Sequence, residues 1–330
     1  MRARLDGRSC GRDGTWVTPP LPLRIGRFII RRELARGGTA RVFSAQDPDV
    51  GDAAAFAIKL LDPSLAHDET FMRRFEHEGQ LALGIEHPHV VRTLELLRHD
   101  GTLAVVMEQL RGATARDIMG TRATETTATA RVLAFRPLPI AAAASLVRQA
   151  ALGLHALHKC RPSDAANVVH RDVGPANLFV TREGLVKVFD FGAATSSLKP
   201  DLTPVGQQMG TLAYLAPEQL AGQPVDARTD VYALGVTLFE LGTGRRLFLR
   251  ASDRETFQAL TAGHVPDPAA LVPGFPEDLR RVLQRCLTPV LRKRFPSALA
   301  LADALSPHDA QGTNELSRLA TALDGARPAP

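Results

Sequence analysis

The apolar positions of the chain follow different patterns before and after about residue 108. Before it they occur in short runs separated by polar or glycine-rich turns, which predicts strands. One stretch, residues 69–84, instead has the spacing of an amphipathic helix. The predicted strands cover residues 28–30, 41–46, 55–61, 90–97 and 103–107.

After residue 108, longer segments with helical spacing predominate. A strand-rich first third followed by a helix-rich remainder predicts an α+β protein, with a small β-rich N-lobe (about 26–107) and a larger helical C-lobe (about 111–305). Within the C-lobe we predict helices over 138–159, 229–241, 252–261, 276–286 and 295–304, short strands at 178–180 and 186–189, and a threonine-rich loop at 121–129.

Two segments lie outside the predicted domain of residues 26–305. Residues 1–25 are interpreted as a basic, disordered leader, since residues 1–32 hold eight arginines against two aspartates. No aromatic residues interleave with these arginines as in a single-strand binder, so no nucleic-acid partner is expected. Residues 306–330 are interpreted as a C-terminal tail with one short helix, 314–323.

Composition favours a globular protein in a reducing compartment. Of the 330 residues, 45% are hydrophobic and 23% are charged, which is ordinary for a folded domain. The three cysteines are far apart in sequence, so neither a disulfide framework nor a zinc site is indicated. The apolar runs at 138–147 and 231–241 fall short of the roughly 20 residues of a membrane span. We therefore expect a cytoplasmic protein without a membrane span.

Several short motifs are uninformative when each is taken alone. His170-Arg171-Asp172 followed by Asn177 is compatible with a polar turn, and Asp190-Phe191-Gly192 with a hairpin turn. A lysine at the end of an apolar strand, such as Lys59, most often extends its amine to solvent.

The order of the motifs carries more information than any one of them. A glycine turn precedes a strand ending in Lys59, and a helix follows with Glu78 nineteen residues later. The His-Arg-Asp, Asp-Phe-Gly and Ala216-Pro217-Glu218 triplets then follow in that order. This series resembles the protein-kinase superfamily, and it is most similar to the bacterial eukaryotic-like serine/threonine kinases. The resemblance covers about residues 25–305 and implies the bilobal protein-kinase fold.

The resemblance implies a catalytic set for phosphoryl transfer from ATP. Lys59 would hold the α- and β-phosphates, and Glu78 would pair with Lys59. Asp190 would bind Mg²⁺, or Mn²⁺ in its place, and Asn177 would bind a second ion. Asp172 would accept or orient the proton of the incoming hydroxyl group.

The resemblance also implies which residues surround the nucleotide and which support the site. Glu218 would form an ion pair with Arg294, and Asp230 would brace the catalytic loop. The implied nucleotide-binding residues are Leu34, Ala35, Gly37, Gly38, Ala40, Val42, Ala57, Lys59, Met107, Glu108, Leu110 and Phe179.

The sequence departs from the family pattern at three positions. Ala35 and Ala40 replace the first and third glycines of the glycine-rich loop, which is compatible with weaker nucleotide binding. Gly174 replaces the lysine that serine/threonine kinases place two residues after the catalytic aspartate. An active enzyme and a nucleotide-binding pseudokinase scaffold therefore both stay open. A small-molecule kinase is disfavoured by the Ala-Pro-Glu triplet and by residues 210–214.

The segment between the two downstream triplets suggests the acceptor and the regulation. Residues 210–214 resemble the serine/threonine-specific floor for the acceptor peptide. Ser196, Ser197 and Thr203 are predicted phosphorylation sites that would pair with Arg171. The expected partners are a protein substrate and a regulatory protein, and no oligomeric state is indicated.

Overall fold

A computed structural model of the chain describes residues 24–50, 55–62, 64–99, 101–120, 124–126, 131–133, 135–160, 168–191 and 211–325. The predicted leader lies outside these ranges up to residue 23. Its last two residues contradict the prediction, because Arg24–Ile25 form strand β1 and the Ile25 side chain is fully buried. These two residues therefore belong to the folded domain and not to the leader.

The N-lobe is one antiparallel sheet with a helix against it, as predicted. The strands lie in the order β1-β2-β3-β4-β6-β5, so the fourth strand along the chain pairs with the sixth. The elements are β1 (Arg24–Ile25), β2 (Phe28–Arg36), β3 (Ala40–Gln46), β4 (Ala55–Leu61), helix α1 (Glu69–Leu83), β5 (Thr93–His99) and β6 (Thr102–Glu108).

Strand alternation places Lys59 on the inner face of the N-lobe sheet. Ile58 and Leu60 on β4 point into the outer core of the lobe, which also contains Phe28 and Phe43. Since neighbouring residues of a strand point to opposite faces, Lys59 lies on the other face, where α1 and the C-lobe are found. Helix α1 begins at a side-chain cap: the carboxylate of Asp68 accepts a hydrogen bond from the Thr70 amide at 2.8 Å.

The C-lobe is built around two long helices. Every residue of α5 from Thr229 to Thr243 is buried, and α3 packs against both α5 and α9. The elements are β7 (Gly112–Thr114), α2 (Ala115–Met119), β8 (Thr124–Thr126), β9 (Arg131–Leu133), α3 (Ile140–Lys159), β10 (Leu178–Thr181), β11 (Val186–Val188), α4 (Pro217–Leu220), α5 (Ala227–Thr243), α6 (Asp253–Ala262), α7 (Pro268–Leu271), α8 (Glu277–Cys286), α9 (Ala298–Leu305) and α10 (Gly312–Gly325).

Helix α3 is long and apolar enough to cross a membrane, on length and composition alone. About two thirds of its most apolar window (67%) is buried inside the protein. Its apolar character is therefore explained by its central place in the C-lobe, where it contacts helices on several sides.

Two segment predictions for the C-lobe are wrong. The threonine-rich stretch 121–129 is not simply a loop, because β8 and β9 pair antiparallel across it. The helix predicted at 314–323 is confirmed as α10, but residues 306–325 are not a tail outside the domain, because Leu316 and Ala320 of α10 are fully buried in the C-lobe core. Strands β8 and β9 are only three residues long, and the docking of α10 depends on packing against distant segments, so local periodicity indicates neither.

A buried ion pair closes the base of the C-lobe, as the resemblance implied. Arg294 donates to both carboxylate oxygens of Glu218, at 2.7 and 2.8 Å, and its side chain is fully buried. It also donates to the carbonyls of Thr288 and Arg228 and lies over the ring of Tyr232. A paired and fully hydrogen-bonded guanidinium is the arrangement in which burial of a charge is tolerated.

Arg294→Ala should destabilise the C-lobe strongly. It leaves the Glu218 carboxylate buried without its counter-ion, which costs about 3–5 kcal/mol. The matched control is Arg281→Ala on α8, because Arg281 is 72% exposed and its oxygen partner on Glu277 is 3.5 Å away. Thermal unfolding should show a loss of several degrees for the first variant and almost none for the second. Equal melting temperatures for Arg294→Ala and wild type would contradict the assignment.

Candidate active site

The two lobes enclose a cleft of about 1600 Å³. Its upper wall comes from β2, β3 and β4, one side from the hinge segment (residues 108–111), and its floor includes Phe179 on β10. Nine residues of the predicted nucleotide site line it: Leu34, Ala35, Val42, Ala57, Lys59, Met107, Glu108, Leu110 and Phe179.

Three predicted nucleotide-binding residues are not part of the cleft lining. Gly37 and Gly38 lie in the exposed turn after β2, where the Gly37 amide donates to the Ala40 carbonyl at 2.8 Å. Ala40 lies on the same face of β3 as Val42, but there Leu61 and Phe75 cover it and leave it 7% exposed. The side chain of Ala40 therefore belongs to the core of the N-lobe.

Lys59 joins three elements at the back of the cleft. Its Nζ atom lies 2.6 Å from Oε1 of Glu78 on α1 and 2.9 Å from Oδ1 of Asp190, which follows β11. The ammonium group also lies 5.7 Å from the centre of the Phe75 ring. The structure thus brings together the predicted lysine, glutamate and aspartate, which lie up to 131 residues apart in sequence.

Burial and charge give the two carboxylates different proton affinities. Burial raises the pKa of Glu78 to about 7, and the charge of Lys59 only partly offsets it. The charge of Lys59 lowers the pKa of Asp190. Burial disfavours the charged form of Lys59, but the carboxylates of Asp190 and Glu78 outweigh it and raise the lysine pKa. Asp190 is therefore the firmly ionised carboxylate of the group.

The catalytic loop, residues 170–177, is held from below by Asp230 of α5, as predicted. Its carboxylate accepts hydrogen bonds from the amides of His170 and Arg171, both at 2.9 Å, and lies 2.7 Å from Nε2 of His158. Arg171 has φ 65° and Asp190 has φ 66°, which is the left-handed region that non-glycine residues rarely adopt. Such backbone strain persists only where surrounding contacts hold it.

Asp172 follows directly in this loop and is bonded to Asn177. The Asn177 amide nitrogen donates to the Asp172 backbone carbonyl at 2.8 Å and to its carboxylate at 3.2 Å. Burial raises the pKa of Asp172 to about 6, while the charges of His170 and Arg116 act in the opposite direction. Because the Asn177 nitrogen is used within the loop, a cation would be held by the amide oxygen.

The donor set fits a divalent magnesium-type ion. Asp190 offers an ionised carboxylate whose side chain is 44% exposed towards the cleft, and Asn177 offers an amide oxygen. Hard cations of this kind are bound by oxygen ligands, usually by one or two protein groups plus phosphate and water. Asp190 would therefore hold one such ion, and the Asn177 amide oxygen a second, in the presence of a phosphorylated ligand.

Comparison with known proteins gives the family. A model described as "protein kinase domain" matches residues 28–305, which contain all the site residues described above. The chain belongs to the protein kinase family. Its β-rich N-lobe and helical C-lobe are the bilobal fold of that family.

Relatives are found among bacterial kinases. Over 87% of its own length, the chain is 35% identical to "Tyrosine-protein kinase MasK" of Myxococcus xanthus. Over 93% of its own length, it is 31% identical to "Serine/threonine-protein kinase PknD" of Mycobacterium tuberculosis. Each match covers 43% of the relative, so the chain spans less than half of either protein. Among solved structures, a cysteine-to-alanine mutant of the PknI kinase domain of Mycobacterium tuberculosis is 27% identical to the chain, with a TM-score of 0.64; the match covers 88% of this chain and 99% of that domain.

The kinase site contains a buried triad that no motif indicated. The hydroxyl of Tyr214 donates to Glu240 of α5 at 2.8 Å, and Arg246 donates to both, at 2.9 and 2.8 Å. A Cβ atom on Gly174 would lie 3.3 Å from the Tyr214 ring, so the ring sits directly over the position of the missing lysine. Residues 192–210, with the predicted phosphorylation sites, lie outside the described residues.

The hinge of the kinase also has a support that the sequence did not indicate. Oε1 of Glu108 accepts hydrogen bonds from Nζ of Lys187 at 2.7 Å and from the Arg92 amide at 2.8 Å. Ser44 donates to the side chain of Gln109 at 2.7 Å. The side chains of Glu108 and Gln109 are thus held by the protein. These partners are far apart in sequence, so no local sequence pattern indicates the contacts.

Proposed function

We propose that the chain transfers the γ-phosphoryl group of ATP to serine and threonine hydroxyls of protein substrates, and to its own. The observation that carries this is the Lys59 ion-pair group together with the hydrogen-bonded pair Asp172–Asn177, with Asp190 close enough for its charge to raise the pKa of Asp172. A scaffold that only holds nucleotide has no need of both Asp172 and Asp190, so we favour an enzyme over a pseudokinase.

The site residues have separate tasks in this reaction. Lys59 binds the phosphates, and Glu78 fixes its long side chain. Magnesium, held by Asp190 and Asn177, would neutralise the charge of the phosphates. Asp172 orients the acceptor hydroxyl and takes its proton while the new O–P bond forms and the bond to the leaving ADP oxygen breaks.

Two features of the chain favour serine and threonine as the phosphorylated residues. Its only two tyrosines, Tyr214 and Tyr232, are 7% and 3% exposed, so neither is available for self-modification in the folded protein. Residues 210–214 also resemble the floor of serine/threonine-specific kinases. Phosphotyrosine is therefore not expected after autophosphorylation. The named activity of MasK makes tyrosine in other proteins the second candidate.

We also propose a cytoplasmic location. ATP is available there, and the thiols of Cys160 and Cys286, which are free in the structure, would stay reduced.

Labelled ATP and magnesium test the proposal directly. Wild type should label itself and a generic acceptor on serine and threonine, with modified sites mapped by mass spectrometry. Lys59→Met, Asp190→Asn and Asp172→Asn should each reduce labelling to background while circular dichroism stays unchanged. Asp172→Asn should still bind nucleotide within a few-fold of wild type. Wild type that binds Mg-ATP but labels nothing would support the pseudokinase alternative instead.

The rate of transfer should fall as the pH drops through about 6. Asp172 works as a base only when deprotonated, and burial raises its pKa to about 6. The charge of Arg116 lowers that pKa, so Arg116→Gln should move the midpoint of the pH–rate profile upward, and Arg116→Lys should largely restore it. ATP titrates identically in every variant, so only the difference between profiles reports on Asp172. Superimposable profiles would contradict the assigned role.

Gly174→Lys should increase transfer. A lost electrostatic stabiliser costs roughly 10²–10³ in turnover, and Arg116, which also lines the cleft, supplies part of the missing charge, so a gain of about ten-fold or less is expected. The Tyr214 ring must shift by a few tenths of an ångström to admit the new Cβ. Gly174→Ala measures that steric cost alone and should not exceed wild type. A lysine variant no faster than the alanine variant would contradict the prediction.

A further inference from the structure

Helix α10 begins seven residues after the family match ends at residue 305, yet it is part of the C-lobe. Leu316 and Ala320 are fully buried in the same core as α3 and α5. The helix packs against α3, β7 and β10. Strand β10 carries Phe179 on the floor of the cleft, and β7 pairs with β10 directly after the hinge.

The first turn of α10 approaches the C-lobe backbone closely. Gly184, in the turn between β10 and β11, has φ +81°, and a Cβ there would lie 2.1 Å from the Thr313 carbonyl oxygen. A Cβ on Gly312 would lie 2.3 Å from the Ala141 carbonyl oxygen. Only glycine allows backbones this close. The helix therefore packs in a fixed register against the strand pair β10–β11.

Three side chains of α10 bind one residue, Arg182, which directly follows β10. The hydroxyls of Ser317 and Thr321 donate to its backbone carbonyl at 2.5 and 3.5 Å. Its guanidinium donates to the carboxylate of Asp324 in an ion pair. The Arg182 amide in turn donates to the carbonyl of Arg111 in the hinge segment, at 3.0 Å. A continuous chain of contacts thus leads from α10 to the hinge.

The end of the helix reaches the cleft itself. Asp324 and Gly325 line the cleft together with Arg111 and Arg182, on the hinge side of its mouth. Asp324 is 18% exposed and Arg182 is 40% exposed, so the pair is only partly screened by solvent. The position of a segment outside the family domain is therefore linked to the wall of the proposed nucleotide site.

We propose that α10 is a positioning element for the nucleotide, and that the Asp324–Arg182 pair fixes the hinge-side wall of the cleft. This inference rests on the proposed function only in that the cleft binds a nucleotide. Asp324 acts through Arg182 and not on the phosphates. A carboxylate acting directly on the phosphates would repel them, and its removal would tighten binding, whereas removal of a positioning contact weakens it. The two explanations therefore predict opposite signs.

The test compares Asp324→Asn, Arg182→Gln and the double variant in the full chain. A partly exposed ion pair contributes modestly, so the dissociation constant for ADP and the KM for ATP should each rise about two- to five-fold. The kcat and the melting temperature should stay near wild type. Because both residues act as one pair, the double variant should be no weaker than either single variant. Asp324→Glu should restore most of the affinity.

Glu315→Gln is the matched control. Glu315 is another acid of α10, and it pairs with Arg318 of the same helix rather than with the strand pair. Glu315→Gln should leave the dissociation constant for ADP and the KM for ATP unchanged. Unchanged or tighter nucleotide binding in Asp324→Asn, or a change in melting temperature alone, overturns the inference. Wild type that binds no nucleotide overturns both the inference and the proposed function. Wild type that binds nucleotide but transfers no phosphoryl group overturns only the proposed function.

Discussion

The functional geometry depends on one ammonium group shared by two carboxylates. Lys59 comes from the N-lobe sheet, Glu78 from α1, and Asp190 from the C-lobe, and all three meet within hydrogen-bonding distance. An unpaired charge in such a buried position would cost several kcal/mol. The pairing therefore fixes both the helix and the Asp190 segment relative to the sheet, and so links the two lobes across the cleft.

Beneath the cleft, two further buried carboxylates are also held by several hydrogen-bond donors. Asp230 accepts two backbone amides of the catalytic loop, and the Glu218–Arg294 pair ties the start of α4 to the segment before α9. Each buried charge is held by several donors or acceptors, so that removing one partner leaves an unsatisfied group. The polar groups around Asp172 are thereby fixed before any ligand arrives, which reduces the reorganisation needed for phosphoryl transfer.

The sequence predicted well the residues that carry the resemblance to protein kinases. The grouping of Lys59, Glu78 and Asp190 was implied by that resemblance, and the two lobes followed from the hydrophobic period. The Tyr214 triad was missed because Glu240 and Arg246 carry no motif. The docking of α10 was missed because close packing at Gly184 depends on a backbone contact between distant segments, and no local pattern reports such a contact. Ala40 was misplaced because burial by α1 cannot be inferred from strand alternation.

The proton affinities of the acidic groups then assign their roles. Asp172 and Asp190 lie near the same cleft, but burial raises the pKa of the first to about 6 and the ammonium of Lys59 lowers that of the second. A base must take up a proton near neutral pH, whereas a metal ligand must stay ionised throughout. Two carboxylates whose environments separate their pKa values in this way are suited to one task each. This separation arises from the protein's own residues and would exist before nucleotide binds, which favours an active transferase over a scaffold.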